Sequence, residues 1–417
     1  MTSLFAQGEP AKYMATAANF KKYYNANTPD SISKNFSPEM LAAIPADKFK
    51  TTTAQLKTQL GPLLSADFQK YSAPLAVYKA TFQNAVFTLN ISLNSKDQIT
   101  GLMLTPYQGP AKTALKLDPS LTESPVLLKT LTGTIAGTLT TPTNIVGKIP
   151  VVLIIAGSGP TDRDGNTQSM GVVTNSYKMI AEALGKDNIA SLRYDKRMVG
   201  ESATGQKEDN LRFDDYVDDA IGLVNLLKDD KRFSKVIVLG HSEGSLVGML
   251  ATIATEGNVN AFISVAGAGR RADEIMKEQM KSQPTYVAEG FKKLLDSLAR
   301  GKVQKKIDPS LYFIARPSIQ YFLMSWCKFD PSLEIKKIKA PILIIQGSTD
   351  IQVSLTDANN LKKAKSAATL TIVRDMNYIL KEAPLDREKN MATYKQPELP
   401  LKPEFVTGLL EFIHGLK

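Results

Sequence analysis

The sequence has few of the side chains that usually build metal centres. Only one of its 417 residues is cysteine, which excludes an intrachain disulfide and any zinc or iron–sulfur centre made of several cysteines. The two histidines, His241 and His414, are too few for a multi-histidine metal site. We therefore expect neither a metal nor a cofactor. This shortage also bears on catalysis, because most general-base enzymes use a histidine.

Long apolar runs and concentrated charge are missing as well. The best apolar run, residues 151–156, is far shorter than the ~18 residues that a membrane span requires. The net charge is +10, but the basic residues are spread along the chain and acidic residues lie near several of them. This distribution favours a solvated, mildly basic surface over a nucleic-acid site, so no nucleic-acid partner is predicted.

The start of the chain lacks the apolar core of a signal peptide. Residues 3–7 (SLFAQ) nevertheless resemble the tail of the export signals common in Bacteroidetes-type bacteria. We expect a periplasmic or secreted protein, with a cytoplasmic protein as the alternative. One cysteine fits either compartment.

The length exceeds what one hydrophobic core usually supports, so we expect two domains. Residues 1–105 predict a small α+β domain, with helices at 13–24 and 54–64 and strands at 76–82, 85–91 and 99–104. Two helices followed by a strand meander resemble the NTF2-like domains, which often precede hydrolases in exported bacterial proteins. No catalytic group is apparent here, and we predict a packing module or a homodimerisation module. A proline-rich linker is predicted at 106–125.

Residues 126–417 have a different pattern, in which short apolar strands alternate with helices. Continuous apolar strands of this kind indicate a mostly parallel sheet that helices cover on both faces. Charged helical sequence interrupts the alternation, and we predict a helical cap insertion at about 268–333. The strands are predicted at 151–155, 190–194, 236–239, 261–265, 341–345 and 370–373, and the helices near 177–184, 214–227, 245–254 and 404–413.

The most specific local signal is the pentapeptide GHSEG at 240–244, between an apolar strand and a helix. A G-x-S-x-G sequence with these flanks predicts a strained turn that exposes the serine, here Ser242. Glycines are needed at Gly240 and Gly244 because side chains two positions from the serine would collide. The turn places the Ser242 hydroxyl at a helix N-terminus, where the amides favour developing negative charge.

Two further segments suit the same chemistry. A glycine-rich turn beginning at Gly157 follows the strand 151–155, and the amides of Ser158 and Glu243 would together form an oxyanion hole. A phosphate-binding loop is the weaker interpretation, because no Gly-Lys-Ser/Thr sequence follows. Downstream, Asp350 comes just after another strand, in the order serine then acid.

Four motifs lie at the ends of the predicted strands: GSGPTDRDGN at 157–166, LRYDKR at 192–197, GHSEG at 240–244 and IIQGSTD at 344–350. Together they resemble the bacterial α/β-hydrolase carboxylesterases of the GSGP-DRD type, over residues 126–417. The resemblance implies the α/β-hydrolase fold, with Ser242 as nucleophile and Asp350 as the acid of a catalytic triad. The sequence departs from the family at Met198, where the family usually has Gly-x-Gly, and this difference would reshape the pocket rim.

The same resemblance implies polar residues that brace the oxyanion loop. The alternative for these residues is a surface ion-pair network. They are Arg163, Asp164, Asp195 and Arg197.

The triad histidine of the family is missing. It would follow the next strand, in an Asn-His pair before a Lys-Glu-Ala-Pro stretch, and Tyr378 stands at that position. A phenol is a poor base, since at a pKa of ~10 only about one in a thousand is ionised at pH 7. His241 precedes the nucleophile and is expected to turn away from it, and His414 lies near the chain end.

Three interpretations follow. The chain is an inactivated variant of an esterase, a natural pseudo-hydrolase that binds an ester-like or acyl ligand without turnover, or an enzyme in which another group supplies the base. The first gives a hydrolase of small carboxylic esters through an acyl-enzyme on Ser242, much weakened by Tyr378. A peptidase or amidase of the same fold would have the same residues, and the sequence does not identify the substrate.

Overall fold

The computed structural model describes residues 9–107, 117–168, 171–308 and 311–416. The chain divides into two compact units, residues 1–114 with 168–171, and residues 115–167 with 172–417. Among the described residues, no helix is both long enough and apolar enough to span a membrane.

The first unit packs helices against one antiparallel sheet. Strand alternation places Tyr78 and Phe82 on the buried face of the sheet, where they meet Tyr13, Phe20 and Tyr24 of the first helix. The sheet is a meander in the order β1-β2-β3-β4. Its elements are α1 (Ala11–Asn25), α2 (Asp30–Ser33), α3 (Pro38–Ala43), α4 (Ala46–Leu60), β1 (Leu63–Ser72), β2 (Leu75–Phe82), β3 (Val86–Leu93) and β4 (Ile99–Pro106).

Two features of this unit differ from the prediction. The helix expected at 54–64 is α4, which starts earlier and ends at Leu60, because Gly61 adopts φ +71 and Pro62 follows. Strand β1 was not predicted. Its pairing with β2 shifts register between Phe68 and Lys70, and such a bulge interrupts the alternation by which strands are recognised.

The second unit is built on a mostly parallel sheet in the order β13-β12-β11-β10-β7-β8-β6-β5, with β9 beside β6. Its strands are β5 (Leu121–Thr130), β6 (Gly133–Pro142), β7 (Ile149–Ile155), β8 (Ala190–Tyr194), β9 (Ala203–Thr204), β10 (Phe233–His241), β11 (Ala261–Val265), β12 (Ile342–Gly347) and β13 (Thr369–Val373). The strands from β8 through β7 and β10 to β13 pair in parallel, whereas β5 and β6 pair antiparallel.

Helices cover both faces of this sheet, as continuous apolar strands predict. Val151, Leu153 and Ile155 of β7 pack towards the helices Phe213–Asp229 and Glu243–Ala254. Val152 and Ile154 pack towards the helices Ser176–Lys186 and Pro403–His414 on the other face. The helices are α5 (Ser176–Lys186), α6 (Phe213–Asp229), α7 (Glu243–Ala254), α8 (Ala272–Gln279), α9 (Thr285–Ala299), α10 (Tyr312–Ala315), α11 (Gln320–Trp326), α12 (Pro331–Glu334), α13 (Leu355–Ala364), α14 (Arg387–Ala392) and α15 (Pro403–His414).

The predicted linker at 106–125 overlaps the sheet. Residues 121–125 belong to β5, where Pro125 lies opposite Thr138. A proline is tolerated there because β5 is the last strand of the sheet and needs no donor on its outer side. Residues 108–116 of the linker lie outside the described residues.

Helices α8 to α11 form an insertion between β11 and β12, in the segment 268–333 predicted as a cap. The insertion has its own apolar cluster, in which Phe291 and Leu294 of α9 pack with Leu323 of α11. Amphipathic spacing along α9 directs these side chains to one side of the helix. The cap is therefore a separately packed layer of the second unit.

Phe213 offers a test of this packing. Its side chain is fully buried and lies parallel to Trp326, with ring centroids 5.9 Å apart and an interplanar angle of 4°. We expect Phe213→Ala to lower the free energy of unfolding by about 3–5 kcal/mol, through lost burial and a cavity. Urea denaturation followed by fluorescence of Trp326, the one tryptophan of the chain, measures the change.

Leu127→Ala is the control, because Leu127 is 64% exposed and its truncation should change the free energy of unfolding by less than about 0.5 kcal/mol. An unchanged midpoint in Phe213→Ala would contradict the assignment.

Candidate active site

Ser242 lies on a sharp turn between β10 and α7. Its backbone has φ 55° and ψ −119°, a strained conformation for a residue with a side chain. A Cβ atom on Gly240 would lie 2.1 Å from the carbonyl oxygen of Gly244, and one on Gly244 would lie 2.3 Å from that of Ile155. Both positions therefore require glycine. The turn leaves Ser242 partly exposed at the N-terminus of α7.

Parallel strands bring three other segments to this edge of the sheet. Gly157 follows β7, Asp350 follows β12 and Tyr378 follows β13, as Ser242 follows β10. A Cβ atom on Gly157 would lie 3.0 Å from the Tyr378 hydroxyl and 3.4 Å from the Cβ atom of Ser242. The nucleophile turn, the glycine-rich loop and the Tyr378 loop thus meet at one point.

The Tyr378 hydroxyl lies near the side chain of Ser242, since the two lie 3.0 Å and 3.4 Å from the position that a Cβ atom on Gly157 would take. Burial raises the pKa of the phenol above its usual value of 10, and the nearby charge of Asp350 raises the pKa further. At neutral pH the phenol therefore keeps its proton. Tyr378 can orient the Ser242 hydroxyl, but it has little capacity to remove its proton.

Asp350 is held by three hydrogen bonds. Its Oδ1 atom accepts from the amides of Gln352 at 2.7 Å and Val353 at 3.0 Å, and its Oδ2 atom accepts from Gln346 Nε2 at 2.9 Å. Burial raises its pKa to about 6, and these donors act in the opposite direction. The carboxylate is fixed close to Tyr378 without a histidine to bridge it to Ser242.

His241 serves the structure of the site instead. Its Nε2 atom lies 2.9 Å from the backbone oxygen of Tyr378, and because a carbonyl only accepts, Nε2 carries the proton. Nδ1 is then the acceptor of the Tyr177 hydroxyl at 2.8 Å, and the Tyr177 oxygen accepts the amide of Gly157 at 3.0 Å. Burial lowers the pKa of His241 to about 4, so the ring is neutral at pH 7. Both nitrogens are occupied, and the residue cannot act as the base.

His414 does not provide the base either. It is exposed at the end of α15, and its Nε2 atom lies 2.5 Å from Oδ2 of Asp187, next to α5. Neither histidine of the chain is therefore available to Ser242.

Of the predicted oxyanion donors, Glu243 directly follows Ser242, and Ser158 directly follows Gly157, which lies beside Ser242. Within the described residues, neither the amide of Ser158 nor that of Glu243 is paired with an acceptor. The Glu243 side chain is buried and forms an ion pair with Lys196, with 3.1 Å between Nζ and Oε1. Lys196 also donates to the carbonyl oxygen of Gly157 at 2.5 Å. Both free amides therefore belong to segments that contact the same ammonium group.

The four charged residues expected to brace the oxyanion loop separate into three groups. Arg163 follows the loop and bonds Asp195 through its amide at 2.8 Å and its guanidinium at 2.7 Å, which ties the loop to the end of β8. Asp164 instead accepts from Arg193 at 3.2 Å. Arg197 bonds a carboxylate of α6, Asp219, at 2.8 Å.

The alternative of a surface network does not suit these pairs, because Asp195 is 2% exposed and Arg197 is 5% exposed.

Met198, which stands where the resembling family has Gly-x-Gly, has an unusual backbone conformation. Met198 adopts φ +64, a conformation that favours glycine and costs other residues about 1–2 kcal/mol.

Two residues of the site were not singled out from the sequence. Lys196 lies within the LRYDKR motif, and a lysine directly after a buried strand was its only signal. Tyr177 lies in the first turn of α5 and resembles any buried aromatic residue. Both act through contacts with Gly157, and these depend on the tertiary fold.

The state of His241 can be measured directly. The lowered pKa means that the folded protein keeps His241 neutral, with the proton on Nε2, from pH 8 down to about pH 5. Nitrogen-15 NMR of histidine-labelled protein distinguishes the two neutral tautomers and the imidazolium. His414→Gln provides the assignment. An imidazolium signal from His241 at pH 6 would contradict the hydrogen-bond scheme.

Comparisons with known proteins agree with the topology. A family model described as "Serine aminopeptidase, S33" matches residues 170–375, and a model of a protein family of unknown function (DUF3887) matches residues 17–102. Esterase EstD of Thermotoga maritima is 25% identical over 383 residues, which are 87% of this chain and 86% of the esterase.

The solved structures to which the chain is similar are more distant in sequence. Est1E from Butyrivibrio proteoclasticus with bound ferulic acid is 16% identical, and the match covers 65% of this chain and 96% of that one with a TM-score of 0.46. The hypothetical protein PA2218 from Pseudomonas aeruginosa is also 16% identical, with 74% and 99% covered and a TM-score of 0.49. The sheet topology, the hydrolase family model and the esterase homologue together show that the chain has the α/β-hydrolase fold and the architecture of a serine carboxylic ester hydrolase.

Proposed function

We propose that the chain hydrolyses carboxylic esters through an acyl-enzyme on Ser242, and that Tyr378 at the position of the triad histidine makes this activity weak. The strained turn at Ser242 carries the proposal, because it exposes the hydroxyl next to the unpaired amide of Glu243 and close to the loop that bears Ser158. In this scheme Ser242 attacks the ester carbonyl, and the amides of Ser158 and Glu243 stabilise the negative charge on the carbonyl oxygen. Asp350 is the acid of the triad.

The phenol limits the first step. Attack requires the loss of the Ser242 proton, and a phenol with a raised pKa is not a base at neutral pH. Loss of the histidine in a comparable serine hydrolase lowers kcat by about 10⁶, which is about 8 kcal/mol of activation free energy. An oxyanion hole and substrate binding alone leave about 10³–10⁴ over the reaction in water. We therefore expect the chain to hydrolyse reactive esters only slowly.

Esters are favoured over amides for the same reason. An amine leaves only after it is protonated by a general acid, which is the role of the missing histidine, whereas a stabilised phenolate leaves unaided. EstD is described as an esterase, and the S33 family model is described as an aminopeptidase, so a peptidase or amidase is the competing enzyme class.

A second candidate is a pseudo-hydrolase that binds an ester-like or acyl ligand without turnover. The occupation of both nitrogens of His241 favours it, because no imidazole can reach the nucleophile. In that case Ser242 and the two amides serve only as hydrogen-bond donors to the ligand. Export of the protein and dimerisation through the first unit stay predictions.

Restoring the histidine tests the proposal. We expect Tyr378→His to raise kcat for p-nitrophenyl acetate by about 10²–10⁴, the usual contribution of a general base. An imidazole is shorter than a phenol, and one water molecule can bridge it to Ser242. Stopped-assay kinetics on the purified variants measure the effect. Tyr378→Phe is the matched control, since it loses the hydroxyl without gaining a base and should stay as slow as the unaltered chain.

Two results would contradict the proposal, and each favours a different alternative. Brisk hydrolysis by the unaltered chain, with no gain from Tyr378→His, would show that another group is the base. No hydrolysis in Tyr378→His, with no Ser242-dependent labelling by a fluorophosphonate probe, would favour the pseudo-hydrolase. Ser242→Ala supplies the background in every assay.

The leaving group separates the enzyme classes. We expect the rate of the unaltered chain to fall steeply from p-nitrophenyl to phenyl to ethyl acetate, because no acid assists departure. Acetyl p-nitroanilide should not be cleaved at a measurable rate. Chromatographic detection of the released acetate measures all four substrates in the same way. Cleavage of the anilide at a rate similar to that of the ester would indicate an amidase.

A further inference from the structure

Side chains hydrogen-bond both the amide and the carbonyl oxygen of Gly157. Its amide donates to Tyr177, which bonds His241, and its carbonyl oxygen accepts from Lys196, which is paired with Glu243. His241 and Glu243 are the residues directly before and after Ser242. The glycine-rich loop is therefore fastened to the nucleophile turn through two separate bridges.

We propose that Lys196 is a positioning residue that directs the Ser158 amide into the oxyanion hole. The inference rests on the proposed function, in which Ser158 is an oxyanion donor. Lys196 does not contact the reacting atoms. It acts through the peptide group that joins Gly157 to Ser158.

The geometry of the peptide bond gives the mechanism. The carbonyl of Gly157 and the amide of Ser158 belong to one planar trans peptide, so they point in opposite directions. A hydrogen bond of 2.5 Å from Lys196 Nζ fixes the carbonyl, and the Ser158 amide is thereby aimed at the opposite side. Because a Cβ atom on Gly157 would lie 3.4 Å from that of Ser242, this peptide passes directly beside the nucleophile.

The surroundings of Lys196 explain why a charged group can be buried there. The side chains of Lys196 and Glu243 are each 3% exposed, and the ammonium also lies 5.1 Å from the centre of the Tyr216 ring. Glu243 balances the charge, so the ammonium is buried as a pair. A cation at the carbonyl end polarises the peptide and strengthens the amide as a donor at its other end. The same ion pair also anchors the first residue of α7, whose amide is the second donor.

A purely structural ion pair would explain the burial equally well, and the two roles predict different kinetics. A structural pair affects folding stability alone. A positioning residue changes the stabilisation of the transition state, which lowers kcat while KM is little altered. Removal of the partner charge then distinguishes the roles, because stability can be repaired without replacing the donor to Gly157.

The test uses the full chain with Tyr378→His, in which turnover of p-nitrophenyl acetate is measured. We expect Lys196→Met to lower kcat by about 10²–10³, as for loss of one oxyanion donor, with KM changed by less than about threefold. Lys196→Met also leaves Glu243 unpaired and lowers the melting temperature. In the double variant Lys196→Met/Glu243→Met, which has no side-chain donor at either position, the melting temperature recovers, but kcat stays low. Recovery of kcat together with the melting temperature would overturn the inference.

A crystal structure of Lys196→Met in the otherwise unaltered chain is the second measurement. It is expected to show the Gly157–Ser158 peptide rotated away from its present orientation, and an unmoved peptide would overturn the inference. This arm does not depend on turnover. If Tyr378→His brings no hydrolysis, the proposed function fails, and the position of the peptide still decides the role of Lys196.

Discussion

The close approach of three chain segments at Gly157 is the constraint on which the site depends. The loop after β7 lies close against Ser242 and Tyr378 because position 157 has no side chain, and a Cβ atom there would be only 3.0 Å from the Tyr378 hydroxyl. The contact in turn requires the turn at Ser242, where Gly240 and Gly244 allow backbone atoms to approach within distances that no Cβ would permit. Such contacts between backbones are rigid, since they leave no side chain that can change its rotamer.

The side chains of Tyr177, His241, Lys196 and Glu243 are paired around this contact, and this pairing gives each of them its role. His241 connects Gly157, through Tyr177, to the loop that carries Tyr378. A neutral imidazole suits this position because it donates with one nitrogen and accepts with the other. The residue that looks most like a catalytic base in the sequence is therefore a structural link between loops.

Tyr378 occupies a site whose surroundings are firmly held. Asp350 receives its three donors, and the Tyr378 hydroxyl and Ser242 both lie beside Gly157. Neither His241 nor Tyr378 suits as the acceptor of the Ser242 proton, because both nitrogens of His241 are already bonded and the phenol holds its own proton. In the proposed function, the site therefore keeps the parts that stabilise negative charge and lacks the part that generates the nucleophile.

The sequence by itself determined the type of fold, the strained turn at Ser242 and the shortage of histidine. These are local properties: strands buried on both faces are apolar throughout, and Gly240 reflects its contact with the backbone of Gly244 within the same pentapeptide. It did not predict β1, since a bulge obscured the alternation, nor the strand character of residues 121–125, since Pro125 is tolerated only at an edge. Only the tertiary structure decided that Lys196 and Tyr177 hold the two ends of Gly157 and that both nitrogens of His241 are occupied. The reason is physical, because these bonds join residues that are 20 to 137 positions apart, and nothing in the local sequence encodes which buried polar groups will meet.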